Sequence, residues 1–174
     1  MGHFLIDRWN ESGDTAEQLA VVVHDCVHAG ASVSFIVPFT IEDALSFWLQ
    51  KVLPAVKAGD RIVLVARQNG VIVGTVQLLL DMPPNQAHRA EVAKLLVHPG
   101  ARRCGIARAL MIAIEEVASG LGRRLLTLDT VSDSPAQDLY VSLGWGICGQ
   151  IPGYALAASG AKLEATTILY KGLL

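Results

Sequence analysis

Apolar residues recur at helical spacing along the first third of the chain. Leu19, Val22, Val23, Cys26 and Val27 form one stripe, and Gly30 ends it. Ile41, Ala44, Leu45, Trp48 and Leu49 form a second stripe. It starts after Thr40, a residue suited to N-capping, and should end by Gly59. Asp43 stands where a full capping box would have Glu or Gln, so a weak box is expected. The period then changes. Ile62 to Arg67 and Val71 to Leu80 are Val- and Ile-rich runs split by Asn69-Gly70, the signature of a tight hairpin. Met82-Pro83-Pro84-Asn85 reads as a turn. His88 to Val97 reads as a third strand, stopped by His98-Pro99-Gly100.

Helical period returns over Ala101 to Leu121 through Ile106, Leu110, Ile114, Val117 and Leu121. Leu125 to Thr130 is a short strand. Ser134-Pro135-Ala136-Gln137 is a helix start with Ser134 as N-cap, Pro135 at the first helical position and Gln137 completing a capping box. Gly144 suits the position just past the helix end. Two last strands are expected around Trp145 to Ile151 and Ala165 to Tyr170, joined by a Gly-containing loop. The predicted order, α-α-β-β-β-α-β-α-β-β, is that of a mixed-sheet α/β fold rather than a doubly wound one.

Composition narrows this picture. The 174 residues suit one domain, 1–174, and 52% are hydrophobic against 17% charged. That balance excludes disorder for most of the chain. No uninterrupted apolar run approaches the ~20 residues of a spanning helix. Asp7 and Arg8 interrupt the segment Met1 to Trp9, which has no signal-peptide core. No membrane association is therefore expected, and the expected location is cytoplasmic. A net charge of −2 gives no electrostatic footprint for nucleic acid. Cys26, Cys104 and Cys148 are widely separated and form no C-x-x-C pair, so no metal site is expected and a reducing compartment fits.

The candidate chemistry centres on Arg102-Arg103-Cys104-Gly105-Ile106-Ala107, between a predicted strand and an amphipathic helix. A helix N-terminus presents unpaired N–H groups and the positive end of a dipole. Gly105 removes a side chain where an anion would approach, and Arg102 and Arg103 add charge suited to phosphate. Neither a Walker loop nor G-x-G-x-x-G is present. An ordinary strand-to-helix turn with a solvated arginine pair is the alternative for this loop taken alone.

Its context is more specific. Arg102, Gly105 and Ala107 match the Arg/Gln-x-x-Gly-x-Gly/Ala loop of motif A in the GNAT superfamily of N-acetyltransferases. The string Val92 to Pro99 leads into it. Ala136, Leu139, Tyr140 and Gly144 match motif B in register, with Asp133 in place of the usual Asn and Trp145 in place of Phe. The chain therefore resembles that superfamily. His28 to Val33, Arg89 to Val92, Leu128 to Thr130 and Pro152-Gly153-Tyr154 are similar to its tabtoxin-resistance branch, which acetylates a β-lactam toxin.

The resemblance implies a mixed, mostly antiparallel sheet with splayed fourth and fifth strands, flanked by helices. It implies acetyl-CoA as co-substrate and an amine or hydroxyl of a small molecule as acceptor. An antibiotic- or toxin-like amino acid is one such acceptor, attacked directly in a ternary complex. The diphosphate of coenzyme A would sit on Arg102, Arg103, Cys104, Gly105, Ile106, Ala107 and Arg108. The pantetheine arm would lie along Leu95, Leu96 and Val97, with a contact from Asp133. A non-catalytic acyl-CoA-binding module and an acetyltransferase of protein N-termini or lysines are the competing readings.

Acetyl transfer needs a neutral amine, hence a proton acceptor, and a thiolate leaving group that an acid can protonate. Glu91 and Asp129 are the candidate bases, because each interrupts an apolar strand. Alternation puts Glu91 on one face with Ala93, Leu95 and Val97. Tyr140 is the candidate acid, two helical turns from Asp133. Each has a plainer alternative: an ion pair of Glu91 with Arg89 or Lys94, a turn cap for Asp129, a core aromatic for Tyr140. Lys94 reads as a solvated or paired lysine, Cys104 as a plain loop thiol and His98 as a strand-end residue. The tryptophans read as packing residues. The segment Ile151 to Glu164 and the first two helices should line the acceptor side. The apolar excess fits a sheet covered on both faces, and a homodimer could bury part of it.

Overall fold

Phe4–Arg8 forms a strand, β1, where only a helical first third was expected. It runs antiparallel to a strand some sixty residues later, from Phe4 opposite Gln68 to Arg8 opposite Leu64, and Arg67 Nε donates to Asp7 Oδ2 at 3.1 Å. Five residues at a sheet edge carry no local signature; only the distant pairing defines them. The computed structural model describes residues 3–10 and 15–173, so the first two residues of the segment read for a leader, Met1 and Gly2, lie outside it.

Helix α1 spans Thr15–His28 and buries the predicted stripe from Leu19 to Val27. Helix α2, Ile41–Phe47, opens with a complete capping box. Asp43 N–H donates to Thr40 Oγ1 at 3.1 Å and Thr40 N–H donates to Asp43 Oδ2 at 2.9 Å. The shorter Asp therefore closes a box expected to be weak. The predicted single helix to Gly59 is split. A π-helical turn, Trp48–Val52, separates α2 from α3, Leu53–Ala58. Pro54 has no N–H and crowds the carbonyl four residues back, and the wider turn absorbs this. Leu53 N–H accordingly reaches back to the Trp48 carbonyl.

Strands β2 (Arg61–Gln68) and β3 (Val71–Leu79) form the hairpin, with Asn69 at φ 52° and Gly70 at φ 82° in the turn. Strand β4 is Arg89–Val97, α4 is Ile106–Gly120 and β5 is Leu125–Val131. Helix α5 is Pro135–Ser142, β6 is Gly146–Leu156 and β7 is Leu163–Gly172. The last two strands are longer than predicted, so most of the segment expected as a loop after Ile151 is strand. The seven strands follow the order β1-β2-β3-β4-β5-β7-β6, with β4 and β5 parallel and every other pair antiparallel.

Two buried layers sandwich the sheet. Ile62, Leu64, Val76, Leu78, Ala90, Val92 and Leu126 pack against Ile106, Leu110, Met111 and Ile114 of α4. On the other face Val63, Val65, Ile72 and Leu96 pack against α1 and Trp48. The apolar excess in the composition fills these layers. Among the described residues no helix is long and apolar enough to cross a membrane.

Strand β4 is irregular along both of its edges. Its pairing with β5 ends at Glu91 opposite Thr127, although β5 continues to Val131. The splay expected between the fourth and fifth strands is thus present. Against β3, Ala93 pairs with Gln77 but Leu96 pairs with Thr75, so Lys94 and Leu95 together oppose Val76. This is a β-bulge, with Lys94 at φ 52°. It reverses the side-chain alternation. Ala90 and Val92 bury toward α4, whereas past the bulge Leu96 buries toward α1, and Leu95 and Val97 pack on the α4 side. The expected shared face of Glu91, Ala93, Leu95 and Val97 is therefore broken, because alternation holds only where no residue is inserted.

Candidate functional site

The β-bulge and the splay open a cleft at the C-terminal ends of β4 and β5. Its volume is about 380 Å³. Lys94, Leu95 and Leu96 form one wall, Asp129 to Val131 and Tyr140 the other, and residues 29–33 after α1 run across it. A second depression of about 280 Å³ lies over the start of α4, lined by Val97, Arg102, Arg103, Gly105, Ile106, Ala107 and Arg108. Arg102 and Pro135 line both, so the two are continuous.

Helix α4 begins later than its period predicted. Residues 99–101 form a short 3-10 turn, and the helix starts at Ile106 with Gly105 as N-cap at φ 83°. A Cβ on Gly105 would meet nothing within 4 Å, so the space over the first turn is open. The first-turn amides of a helix have no partners within the helix. Arg108 is held by Ser142, with Nη2 donating to Oγ at 2.8 Å, and Arg102 Nε donates to the Val97 carbonyl at 3.2 Å. The Cys104 side chain is exposed, and its thiol donates to the Arg102 carbonyl at 3.5 Å. The arginines and amides gather donors suited to a diphosphate.

The strand leading into this loop is clamped to α1. His98 Nδ1 accepts from the Gly100 N–H at 3.1 Å, which leaves Nε2 as the proton-bearing nitrogen, 3.0 Å from Asp25 Oδ2. Hydrogen bonds from His24, and with them those from His98, hold the Asp25 carboxyl below the usual carboxylate range despite burial. Burial pushes the nearby Cys26 thiol up. His98 is thus a clamp rather than a mere strand end.

The three candidate catalytic side chains do not all meet. Asp129 and Tyr140 face the cleft, and Tyr140 is 6% exposed. Burial raises the Tyr140 pKa far above its ordinary value, and the Asp129 charge adds to the rise. The phenol therefore keeps its proton. The ring packs against Trp145, whose indole donates to Glu115 Oε1 at 2.8 Å, and Lys171 pairs with the same carboxylate at 2.6 Å. The Thr166 hydroxyl lies 3.1 Å from Asp129 Oδ2 and 2.9 Å from the Thr130 carbonyl, so its one proton is shared between them. Glu91 does not line this cleft; it borders a neighbouring groove of about 360 Å³ with Arg89 and Tyr154, and Asp129 lines both. Among the described residues no salt bridge joins Glu91 to Arg89 or Lys94; Arg89 Nε donates instead to Gln86 Oε1 at 2.7 Å.

Asp133 lines neither depression. It sits before α5 at φ 57°, so the helical spacing that would place it on one face with Tyr140 does not apply. Ser134 Oγ caps the helix, but Gln137 accepts from the Asp133 N–H at 3.1 Å and from Thr167 at 2.7 Å, so the expected box is only half made. Ser32 and Thr130 line the cleft without having been singled out; Lys94, read as solvated or paired, and Glu164, the end of the segment expected on the acceptor side, line it too. Only the bulge puts Lys94 there, and it leaves no mark in residue type.

The family described as the acetyltransferase (GNAT) family matches residues 30–145. An uncharacterised N-acetyltransferase of Azospirillum brasilense, from the hisH-hisA intergenic region, is 35% identical over 121 residues, 68% of this chain and 69% of that protein. An N-acetyltransferase structure from Staphylococcus aureus Mu50 superposes with a TM-score of 0.81 at 18% identity, covering 99% of both chains. The Salmonella typhimurium protein yncA, solved with its cofactor acetyl-CoA, superposes with a TM-score of 0.80 at 19% identity over 99% of this chain and 95% of that one.

Proposed function

This chain belongs to the acetyltransferase (GNAT) family, and from that premise we propose that residues 1–174 form one domain moving acetyl from acetyl-CoA to the amine of a small, amino-acid-like acceptor. The reading rests above all on the continuity of the two depressions through Arg102, one rich in phosphate donors, the other holding Asp129 and Tyr140.

The fit of the co-substrate is supported by the open space over Gly105 and by the donors around it. Arg102, Arg103 and Arg108, with the amides from Cys104 to Ala107, would hold the diphosphate. The edge of β4 at Leu95, Leu96 and Val97, left by β5 past Glu91, would take the pantetheine arm. Bound there, acetyl-CoA supplies the activated acyl group. The expected contact of Asp133 with the arm would come from the turn before α5, since the residue lines neither depression.

Asp129 is the better placed base. It borders the cleft, and the Thr166 hydroxyl, shared with the Thr130 carbonyl, stands beside its Oδ2. It would take the proton from the acceptor amine, directly or through water. Tyr140, protonated and buried on the same side, would give a proton to the departing sulfur. Residues 29–33, part of the segment similar to the tabtoxin-resistance branch, border the acceptor space, which favours an antibiotic- or toxin-like amino acid. Three free cysteines suit a reducing, cytoplasmic setting.

Two variants separate the candidate bases. Asp129→Asn should lower kcat by about a hundredfold at neutral pH, with partial recovery as rising pH deprotonates the amine unaided. Glu91→Gln should cost less than about tenfold, as expected of a group outside the cleft. Thiol release measured across pH reads both, and the opposite order would transfer the base assignment to Glu91.

A further inference from the structure

Lys94 is a cation that lines the acceptor cleft, and no carboxylate among the described residues is in ion-pair contact with it. The bulge holds its backbone at φ 52°, in the left-handed region that lysine rarely occupies. Its ammonium donates to Ser34 Oγ at 3.3 Å and stands 5.9 Å from the centre of the Phe35 ring. Asp129 and Glu91 act on it only at longer range, while burial and the Arg61 charge both work against its protonated form. Arg61 itself is committed to the sheet, its Nη1 donating to Gln77 Oε1 at 2.9 Å. A half-buried ammonium short of partners is costly unless an anion completes it.

We propose that Lys94 binds the carboxylate of the acceptor, so that the substrate is an amino acid rather than a simple amine. The cleft presents Lys94 on β4 and Asp129 on β5; of its other charged residues, Glu164 is paired with Lys162 and Arg102 donates to the Val97 carbonyl. That polarity matches a zwitterion, with its carboxylate at Lys94 and its amine toward Asp129. The phosphates of the co-substrate do not compete for this role. Lys94 lines the cleft but not the depression over α4; Arg103 and Arg108 line only that depression, and Arg102 stands where the two meet. The inference rests on the acetyl-transfer reading and adds the group that selects the acceptor.

The test uses matched probes: L-lysine against 1,5-diaminopentane, and L-phenylalanine against 2-phenylethylamine, with wild type and Lys94→Met. Wild type should favour the acid of a pair in kcat/KM. Lys94→Met should reduce that preference by at least about tenfold, mainly through KM for the acid, with the KM for acetyl-CoA and the melting temperature held. Lys94→Arg should retain part of the preference. Equal use of acids and amines by wild type, or an equal loss for both in Lys94→Met, would overturn the role of Lys94 while leaving acetyl transfer standing. Tight acetyl-CoA binding with no turnover of any probe would overturn the acetyl-transfer reading and this inference together.

Discussion

Gly105→Glu is expected to weaken acetyl-CoA binding by about a hundredfold or more, roughly the loss of one charge-assisted contact plus like-charge repulsion. Gly105 caps α4 from a left-handed backbone, and nothing stands within 4 Å of where its Cβ would be. The Cβ of a glutamate there meets no protein atom within 4 Å. The side chain meets the space the diphosphate would occupy, and its carboxylate would take the first-turn amides that otherwise serve the phosphate. The backbone strain of a non-glycine residue at this φ is separable. Gly105→Ala carries the same strain, on the order of 1 kcal/mol, without charge or reach. It should lower the melting temperature slightly and weaken binding by less than about tenfold. Calorimetric titration of both variants with acetyl-CoA checks this. An unchanged Kd in Gly105→Glu would remove the diphosphate from this loop.

Tyr140→Phe is expected to lower kcat by about 10² to 10³, the usual contribution of a positioned proton donor, with KM for acetyl-CoA changed only a few-fold. The hydroxyl is the only group removed. The ring keeps its packing on Trp145, and that tryptophan keeps its bond to Glu115. Melting temperature and acetyl-CoA affinity should therefore stay close to wild type while turnover falls. A loss in stability as large as the loss in rate would make Tyr140 a core aromatic and nothing more.

The loop before α4 was legible in the sequence because its chemistry is local. A glycine, an arginine pair and the start of an apolar 3.6-residue period lie within a few positions of one another. The hairpin at Asn69-Gly70 and the start of α5 at Ser134-Pro135 were legible for the same reason. The bulge was not. It depends on how Lys94 and Leu95 register against Val76, and no glycine or asparagine marks it. Missing it misplaced Glu91 relative to Leu95 and hid Lys94. β1 was invisible for a related reason, since its partner lies sixty residues away. The π-helical turn before Pro54 left a trace, because a proline inside a helical period signals a disruption, but not which kind. Local patterns thus located the open, arginine-lined start of α4, and cross-strand register, which they do not encode, shaped the cleft beside it.

Acetyl transfer by this chain is tested most sharply by initial-rate kinetics of thiol release, with acetyl-CoA and an amino acid acceptor varied together. Direct attack in a ternary complex predicts release that needs both substrates, one N-acetyl product per thiol, and double-reciprocal lines that intersect. Acetyl-CoA binding without acceptor-dependent thiol release, or parallel lines that indicate an acetylated enzyme, would contradict it.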